Sequence, residues 1–444
     1  MNDTPIDSRA LVGYYAEMSK SNSLFSTLVR LKGNPRACVY TEPLWGISVN
    51  LCLPYASVYM LQLGLSDKDI GVIATVYMLS QVLFAFLSGP ITDKMGRRKS
   101  TAVFDFIAWC IPCLIWWRAE GFMFFFVAAL INGTMRITTN SWNCLLIEDA
   151  DKKQYANIYS IIIVCGQLFA IFAPISAIMV SRLTLIPAVR ILYLNAFILM
   201  TIKVIILYIA SRETQIGKMR MEECRHKNIF NLTGGYKGVI HIILSSRGTL
   251  FAITIAALFG IIAMINATFW SVIVNQKIMV PEAFLPLFMV LRSIVAMIFL
   301  IFIAPRLTKG LLRTPILLGF LGYLVGQTLL ILVPTEGLIR YLPLCISLIF
   351  DGLGFGALMM LVEALLALHV NPDERARVMA IQHTLVVAVT APFGWIGGML
   401  SSVSRDLPFV LNIVLIVTGV IVTVVYYHTH SDHSAETAHH EEDK

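Results

Sequence analysis

Twelve long apolar runs constrain what this chain can fold into more than any other feature of the sequence. A helix needs roughly 20 apolar residues to cross the hydrocarbon core of a bilayer, and it satisfies its backbone hydrogen bonds internally. We therefore predict an all-α membrane protein with twelve transmembrane helices. The predicted spans cover residues 44–63, 69–90, 100–117, 122–147, 158–181, 187–210, 248–274, 282–304, 312–333, 341–368, 378–403 and 407–427.

The composition indicates that lipid is the solvent of most of the surface. Only 14% of the 444 residues are charged and 57% are hydrophobic, whereas a soluble domain carries about 25% charged residues. The eight cysteines lie mostly inside apolar runs, where a thiol behaves as a small hydrophobe. We expect no metal site and no cofactor. The first 40 residues do not pair a basic start with an apolar segment, so no cleaved signal peptide is predicted.

The basic residues indicate how the spans are oriented. If both ends of the chain are cytoplasmic, 24 of the 34 Lys and Arg residues fall in cytoplasmic segments, seven in external ones and three within spans. Basic loops are retained on the cytoplasmic side, so we predict a multi-pass protein of the cell (plasma) membrane with both termini in the cytoplasm. The same bias explains the sequence pI of 8.9 without a nucleic-acid partner.

The two halves of the chain resemble each other. When 215 to 221 is subtracted from the residue numbers of the second half, Pro305 aligns with Pro90, and the pair Ala391-Pro392 aligns with Ala173-Pro174. Two pseudo-symmetric six-helix halves are typical of secondary transporters that open alternately to either side. We divide the chain into a cytoplasmic segment with an amphipathic helix (1–40, apolar at Leu24, Phe25, Leu28 and Leu31), a first bundle (41–210), a linker (211–247), a second bundle (248–427) and a His-rich cytoplasmic tail (428–444).

The loop between spans two and three carries the most specific motif. Gly89 and Gly96 permit a close helix approach and a tight reversal, and Asp93 is placed to face a helix N-terminus. Arg97 and Arg98 can bind carboxylates or carbonyl groups across the loop. The loop reads Gly89-Pro90-Ile91-Thr92-Asp93-Lys94-Met95-Gly96-Arg97-Arg98-Lys99. It is similar to the G-x-x-x-D-R/K-x-G-R-R/K loop of the major facilitator superfamily, and the resemblance covers about residues 40–427.

The resemblance implies a conformational latch at this loop. Asp93 would hold the outward-open state against the start of span eleven, near Arg377, and Glu148 or Asp149 would be the partner of Arg97. The corresponding segment of the second half, 304–310, has no acidic residue, so an equivalent latch there is in doubt. The latch residues are therefore predicted as Gly89, Asp93, Gly96, Arg97, Arg98, Glu148 and Asp149.

Charged and amide side chains within span four predict a solute-binding face. A charge in the middle of a bilayer costs roughly 2.5–3.5 kcal/mol, so it is usually turned inward and used. Arg136 lies near the middle of the span, and polar residues at helical spacing share its face. A structural arginine that binds carbonyl groups is the alternative. The members of this face are Asn132, Arg136, Thr139, Asn140 and Asn143.

Further midspan groups could bind solute or coupling protons. Arg292 of span eight and Asp351 of span ten would either serve transport or pair with each other as a structural contact. Buried carboxyl and imidazole groups can exchange protons, although a structural polar contact is the alternative for each. Lys203 of span six lies close enough to the interface to snorkel. The coupling candidates are Asp351, Glu363, His383 and Asp105, with His369 beside them.

Aromatic and amide side chains predict further solute contacts in spans one and seven. Tyr55 and Tyr59 share a face of span one, and Asn266 and Trp270 lie four residues apart in span seven. Rings and amides together suit stacking and hydrogen bonding to an organic molecule, although aromatic core packing explains many such pairs.

These features predict a bacterial-type secondary active transporter, a symporter or antiporter that moves a small organic solute by alternating access, and not an enzyme. One arginine near the middle of each half favours an organic anion. A sugar or glycoside is the main alternative because of the amides in span four, and a multidrug exporter fits two arginines less well. Protons are the candidate coupling ion, and a monomer is expected. A membrane enzyme or receptor lacks support because the sequence holds no nucleophile elbow or phosphate loop.

Overall fold

A computed structural model describes residues 24–151, 154–226, 247–303, 312–368 and 375–442. Every regular element in these residues is a helix, and twelve helices are long and apolar enough to cross a membrane. The predicted all-α fold of twelve spans is therefore confirmed. The spans are Gly33–Gln62, Asp67–Met95, Arg97–Trp117, Phe122–Ile147, Asn157–Leu183, Leu185–Ala210, Arg247–Gln276, Glu282–Ile303, Arg313–Leu332, Leu338–Val362, Ile381–Val403 and Leu407–Thr429.

Span one departs most from its predicted bounds. It begins at Gly33, eleven residues before the predicted start at 44. Glu42 and Pro43 interrupt the apolar run, and for that reason the sequence-based boundary fell after them. The helix nevertheless continues through Pro43. Glu42 consequently belongs to a helix long and apolar enough to span a membrane, where a buried carboxyl group needs a partner or a function.

The Ala-Pro pairs mark the same interruption in both halves. Span five contains a short 3-10 turn, Phe169–Phe172, followed by the helix Ala173–Leu183. Span eleven consists of the helices Arg375–Thr390 and Pro392–Val403, which are separated at Ala391. Proline has no N–H to donate, so it removes one helical hydrogen bond and breaks the helix at this point. Pro305, the other residue used to align the halves, lies outside the described residues.

Two shorter helices flank the first bundle. Leu24–Arg30 precedes span one, and Gln215–Cys224 lies in the linker directly after span six. The linker helix begins with Thr214, whose hydroxyl accepts a hydrogen bond from the Gly217 N–H. The last helix extends from Leu407 to Glu442 and so includes most of the His-rich tail. The remainder of the linker lies outside the described residues.

The hydrophobic core is divided into three clusters, and only one of them joins the two halves. We call the end of the bundle where spans one and seven begin the termini end, and the opposite end the far end. The joining cluster lies toward the far end and includes Tyr55, Tyr59, Phe269 and Trp270. Toward the termini end, one cluster contains only first-half residues around Leu146, and another only second-half residues. Among the described residues, therefore, apolar packing holds the halves together at the far end.

Polar contacts between the halves follow the same distribution. Thr75 of span two donates from its hydroxyl to the Ala391 carbonyl over 2.8 Å, and Ser57 of span one donates to the Thr268 carbonyl over 2.6 Å. Asp67 accepts a hydrogen bond from Ser401 at 3.1 Å. These hydrogen bonds between the two bundles all lie toward the far end.

Glycines permit the close approach of spans two and eleven. A Cβ atom on Gly71 would lie 2.5 Å from the Gly394 carbonyl oxygen, and one on Gly398 would lie 2.9 Å from the Gly71 Cα. No side chain fits at these distances, so glycine at both positions allows direct backbone contact. This contact closes the far end of the bundle along spans two and eleven.

Candidate functional site

The loop motif forms a compact group of charges at the termini end. The Arg97 guanidinium lies 2.8 Å from Asp93 and 3.1 Å from Glu148 of span four. The Arg97 side chain is only 5% exposed, whereas Asp93 remains 35% exposed. Of the two carboxylates considered as partners of Arg97, the structure pairs it with Glu148. Asp149 instead accepts a hydrogen bond from Asn34 at 3.0 Å.

The linker supplies a carboxylate that the sequence analysis did not consider. Glu213 accepts hydrogen bonds from the backbone N–H groups of Arg97 at 2.9 Å and Arg98 at 3.0 Å. These N–H groups begin span three, where the helix dipole favours an anion. Glu213 therefore occupies the N-terminus of span three. The preceding Gly96 has a φ of +85°, and a Cβ there would lie 2.6 Å from the Glu213 carboxylate.

Further contacts tie the motif to span six and the linker. Arg98 donates two hydrogen bonds to the Tyr208 carbonyl and stacks on the Tyr208 ring at 4.0 Å. Thr214 donates to the Glu148 carboxylate. All of these partners belong to the first half or to the start of the linker. The Arg377 side chain, the implied partner of Asp93 in the outward-open state, lies outside the described residues.

Arg136 stands at the middle of span four as an unpaired charge. Its side chain is half-buried, near the phenol group of Tyr77 on span two. It forms no ion pair and donates no side-chain hydrogen bond to any residue that the structure describes. An arginine cannot lose its proton in a protein, so a positive charge remains available at mid-depth of the first half.

The amides of span four divide between two roles. Asn132 is buried and donates to the Ala108 carbonyl over 2.6 Å, within the π-helical turn Phe106–Cys110 of span three. Asn140 donates to Thr92 over 3.2 Å. Asn143 is half-buried and makes no hydrogen bond with the described part of the chain. In this conformation, the Asn143 side chain is therefore free to form hydrogen bonds with a solute, whereas those of Asn132 and Asn140 already bind other residues.

Arg292 and Asp351 pair with each other at the middle of the second half. The Arg292 Nε atom lies 2.7 Å from the Asp351 carboxylate, and the guanidinium stacks on Phe355 at 4.6 Å. Asp351 also accepts hydrogen bonds from Gln327 at 2.9 Å and Asn266 at 3.3 Å. The network joins spans seven, eight, nine and ten, and Asn412 of span twelve extends it by donating to Gln327. The Arg292 charge is thus neutralised where that of Arg136 is not.

The aromatic candidates lie in the far-end core. Tyr55 and Tyr59 are fully buried, and Trp270 is 4% exposed. The Tyr59 hydroxyl donates to the Trp116 carbonyl at 3.0 Å, and its ring packs edge-on against Phe125. These side chains contribute to the closed far end in this conformation. A contact with solute requires that end to open.

A buried charge cluster in the first half includes two residues absent from the predicted site. Lys203 of span six is 4% exposed and does not snorkel, because its ammonium lies between Asp105 at 3.3 Å and Glu42 at 3.7 Å. Asp105 also accepts a hydrogen bond from Thr138. The interruption of the apolar run at Glu42 was the signal that could have identified this cluster. The predicted start of span one at residue 44 instead placed Glu42 just before the span.

The remaining coupling candidates are only partly described. His383 of span eleven is half-buried and has an interaction partner. The Glu363 side chain and His369 lie outside the described residues. An apolar groove of about 540 Å³ between spans two, three and four includes none of the predicted site residues. Its lining consists of Val76, Leu79, Ser80, Leu83, Phe84, Ile107, Phe126, Leu130, Ile131 and Thr134.

Two six-helix halves that meet at one end and carry charges at mid-depth define the architecture of a secondary transporter. The family model for the Major Facilitator Superfamily matches residues 45–279 and 250–443. The chain belongs to this family of membrane transporters, as the loop motif had indicated. No curated protein sequence matches the chain.

Solved structures of transporters share the fold. A mutant of the nucleoside transporter NupG is similar with a TM-score of 0.69, at 16% identity, over 88% of this chain and 99% of that one. A POT family transporter in complex with a thioalcohol-conjugated peptide gives 0.68 at 13% identity, over 90% and 96% of the two chains. A mutant peptide transporter POT in complex with sulfate gives 0.67 at 13% identity, over 93% and 99%. At these identities the likeness establishes the fold.

Proposed function

We propose that this protein is a secondary active transporter of a small organic anion in the plasma membrane, working by alternating access. The unpaired charge of Arg136 is the observation that carries the proposal. It lies half-buried at mid-depth without a protein carboxylate, whereas every other midspan cation in the described residues has one. A guanidinium in this position offers several N–H groups to a carboxylate or phosphate. Of the structural neighbours, one POT protein is in complex with sulfate and another with 5-aminolevulinic acid.

The conformation supports a cycle in which the two bundles rock about the solute. The described halves are joined by packing and hydrogen bonds at the far end. With both termini in the cytoplasm, as the basic-residue bias predicts, the closed far end would face the outside and the solute would reach the site from the cytoplasm. Arg136 and Asn143 would then face the solute from the first half. Arg292, 21% exposed beside Asp351, would approach it from the second half, with Asn266 behind this pair.

A sugar or glycoside is the second candidate. The half-buried Asn143 and the adjacent Asn140 suit hydroxyl groups, which both donate and accept hydrogen bonds. One of the structural neighbours is a nucleoside transporter, and a nucleoside is itself a glycoside. A neutral substrate would need no unpaired cation, so Arg136 is the residue that separates the two candidates.

A binding screen with charge-matched variants tests the proposal. Purified protein would be screened by thermal shift against carboxylates, organic phosphates, sugars and nucleosides, because a ligand of the folded state raises its stability. If the ligand is an anion, Arg136→Ala should weaken its binding by on the order of ten- to a hundredfold, which corresponds to a charge-assisted bond of about 1.5–3 kcal/mol. Arg136→Lys should restore only part, because an ammonium lacks the planar two-pronged geometry.

The control is Arg182→Ala, which removes an exposed cation at the far end of span five. It should leave affinity unchanged. An Arg136→Ala protein that folds and binds its ligand with unaltered affinity would contradict the anion assignment and favour a glycoside. Proteoliposomes loaded with the identified ligand would then show whether it moves and whether an imposed pH gradient drives it.

A further inference from the structure

The cluster of Glu42, Asp105 and Lys203 holds one more acidic group than basic group in a buried place. The side chains are 13%, 4% and 5% exposed, respectively. Three spans contribute one residue each, and Glu42 and Asp105 share a single ammonium. Ionisation of both carboxyl groups would leave one uncompensated negative charge in a medium of low dielectric constant, which is strongly unfavourable.

The contacts distinguish the two carboxyl groups. Asp105 is the nearer to the Lys203 ammonium and accepts a hydrogen bond from the Thr138 hydroxyl at 2.9 Å. Glu42 is farther from the ammonium, at 3.7 Å, and its buried Oε2 atom has no hydrogen-bond partner. The Asp105 Oδ2 atom is likewise buried without a hydrogen-bond partner. Lys203 and Asp105 therefore form the ion pair, and Glu42 is the group left over.

No other charge among the described residues compensates this excess. The other titratable groups that face the cluster are the thiols of Cys38 on span one, Cys110 on span three and Cys165 on span five. Thiols are neutral near pH 7 unless a cation or metal stabilises the thiolate. The hydroxyl of Thr138 is the polar group contributed by span four. Net neutrality thus requires a bound cation, and the smallest one is a proton.

We propose that Glu42, Asp105 and Lys203 form a proton-binding site that holds a single exchangeable proton, and that this is the coupling proton of the transporter. The second part rests on the proposed transport function. The proton resides on Glu42 while Asp105 stays ionised against Lys203. Glu42 is the most exposed of the three and lies on span one, which also carries Ser57 and Tyr59 of the far-end closure. Movement of span one during the cycle would change the solvent access of Glu42 and so load or release the proton.

Counting protonated carboxyl groups by infrared spectroscopy tests the site without any substrate. A protonated carboxyl group absorbs at a carbonyl-stretch position that ionised carboxylates lack, and exchange into D2O shifts it. At pH 7 the solvent-exposed Asp and Glu side chains are ionised. The wild-type protein should show one such band from the cluster, which disappears in Glu42→Gln and also in Asp105→Asn, because one ammonium then meets one carboxylate. Lys203→Met should show two protonated-carboxyl bands, because neither carboxylate then has a cation to pair with.

The control is Glu282→Gln, which alters a half-buried carboxylate hydrogen-bonded to Gln62 at the far end and should leave the band unchanged. A wild-type protein without a band at pH 7, or a band that persists in Glu42→Gln, overturns the proposal. If Glu42→Gln does not fold, Glu42→Asp and Lys203→Met replace it. Glu42→Asp should shift the position of the protonated-carboxyl band, and Lys203→Met should give two such bands in place of one.

Flux measurements test the coupling role separately. In proteoliposomes, Glu42→Gln should retain solute exchange and lose at least tenfold of the accumulation driven by a pH gradient. Retained accumulation in Glu42→Gln would overturn the coupling role. A wild-type protein that shows the expected band count while moving no solute would contradict the proposed transport function and leave the proton site intact.

Discussion

The paired charges of Arg292 and Asp351 allow a quantitative test of what holds the second bundle together. The two groups are 2.7 Å apart, and their side chains are 21% and 6% exposed. Removing one partner of a buried pair typically costs about 3–5 kcal/mol, because the other charge is left uncompensated. With roughly 2–4 °C per kcal/mol for a unit the size of one six-helix half, the melting temperature should fall by about 6–20 °C.

The two single substitutions should differ in size. Asp351→Asn leaves Arg292 charged without a partner, because guanidinium does not release its proton. Arg292→Met leaves a carboxyl group that keeps its hydrogen bonds from Gln327 and Asn266 and can become neutral by taking up a proton. We therefore expect the larger loss for Asp351→Asn. The double variant should lose less than the sum of the single losses, by about 2 kcal/mol or more.

The assay is thermal unfolding of purified protein in detergent, arranged as a double-mutant cycle. The ion pair Lys277–Asp406 is the matched control, since it belongs to the same half but its side chains are 26% and 28% exposed. Its cycle should give a coupling of about 0–1 kcal/mol. Strictly additive losses at Arg292 and Asp351 would refute the structural pairing and favour independent roles in solute binding.

Two further predictions concern the conformational cycle. Asp93→Asn removes the negative charge of the 2.8 Å ion pair with Arg97, but Asp93 is 35% exposed, so stability should change by less than about 1 kcal/mol. Flux should still fall if Asp93 latches the outward-open state. Normal flux, with an unaltered ratio of inward to outward cysteine labelling, would remove that role. Gly398→Val places a side chain where even a Cβ lies 2.7 Å from the Asp67 carbonyl oxygen, so spans two and eleven should separate and a cysteine at the fully buried Tyr55 should become reactive from the far side. Gly121→Val, whose Cβ meets nothing within 4 Å, is its control and should leave labelling unchanged.

The candidate site was only partly accessible to sequence reasoning. Arg136 could be singled out because a midspan charge stands out in an apolar run, and the described part of the chain offers it no ion-pair partner. Lys203 stood out as well but was assigned to the interface, since sequence spacing does not show which helices face it. Glu213 lay in a polar linker with no pattern to distinguish it, yet it binds the N-terminus of span three. The Glu213 contacts join residues more than 100 positions apart, and a single sequence contains no signal for them.

The sequence by itself determined the number of spans, the division into two halves and the family. Each of these follows from local features: the length of an apolar run, the repeat of Ala-Pro in spans five and eleven, and the spacing of one loop motif. Tertiary structure alone decided which midspan charges are paired. Arg136 and Arg292 both lie near the middle of their spans, but among the described residues only Arg292 meets a carboxylate, because span ten brings Asp351 to it. The hydrocarbon core dictates that a helix forms wherever about 20 apolar residues occur, whereas the partner of a buried charge depends on how the helices pack.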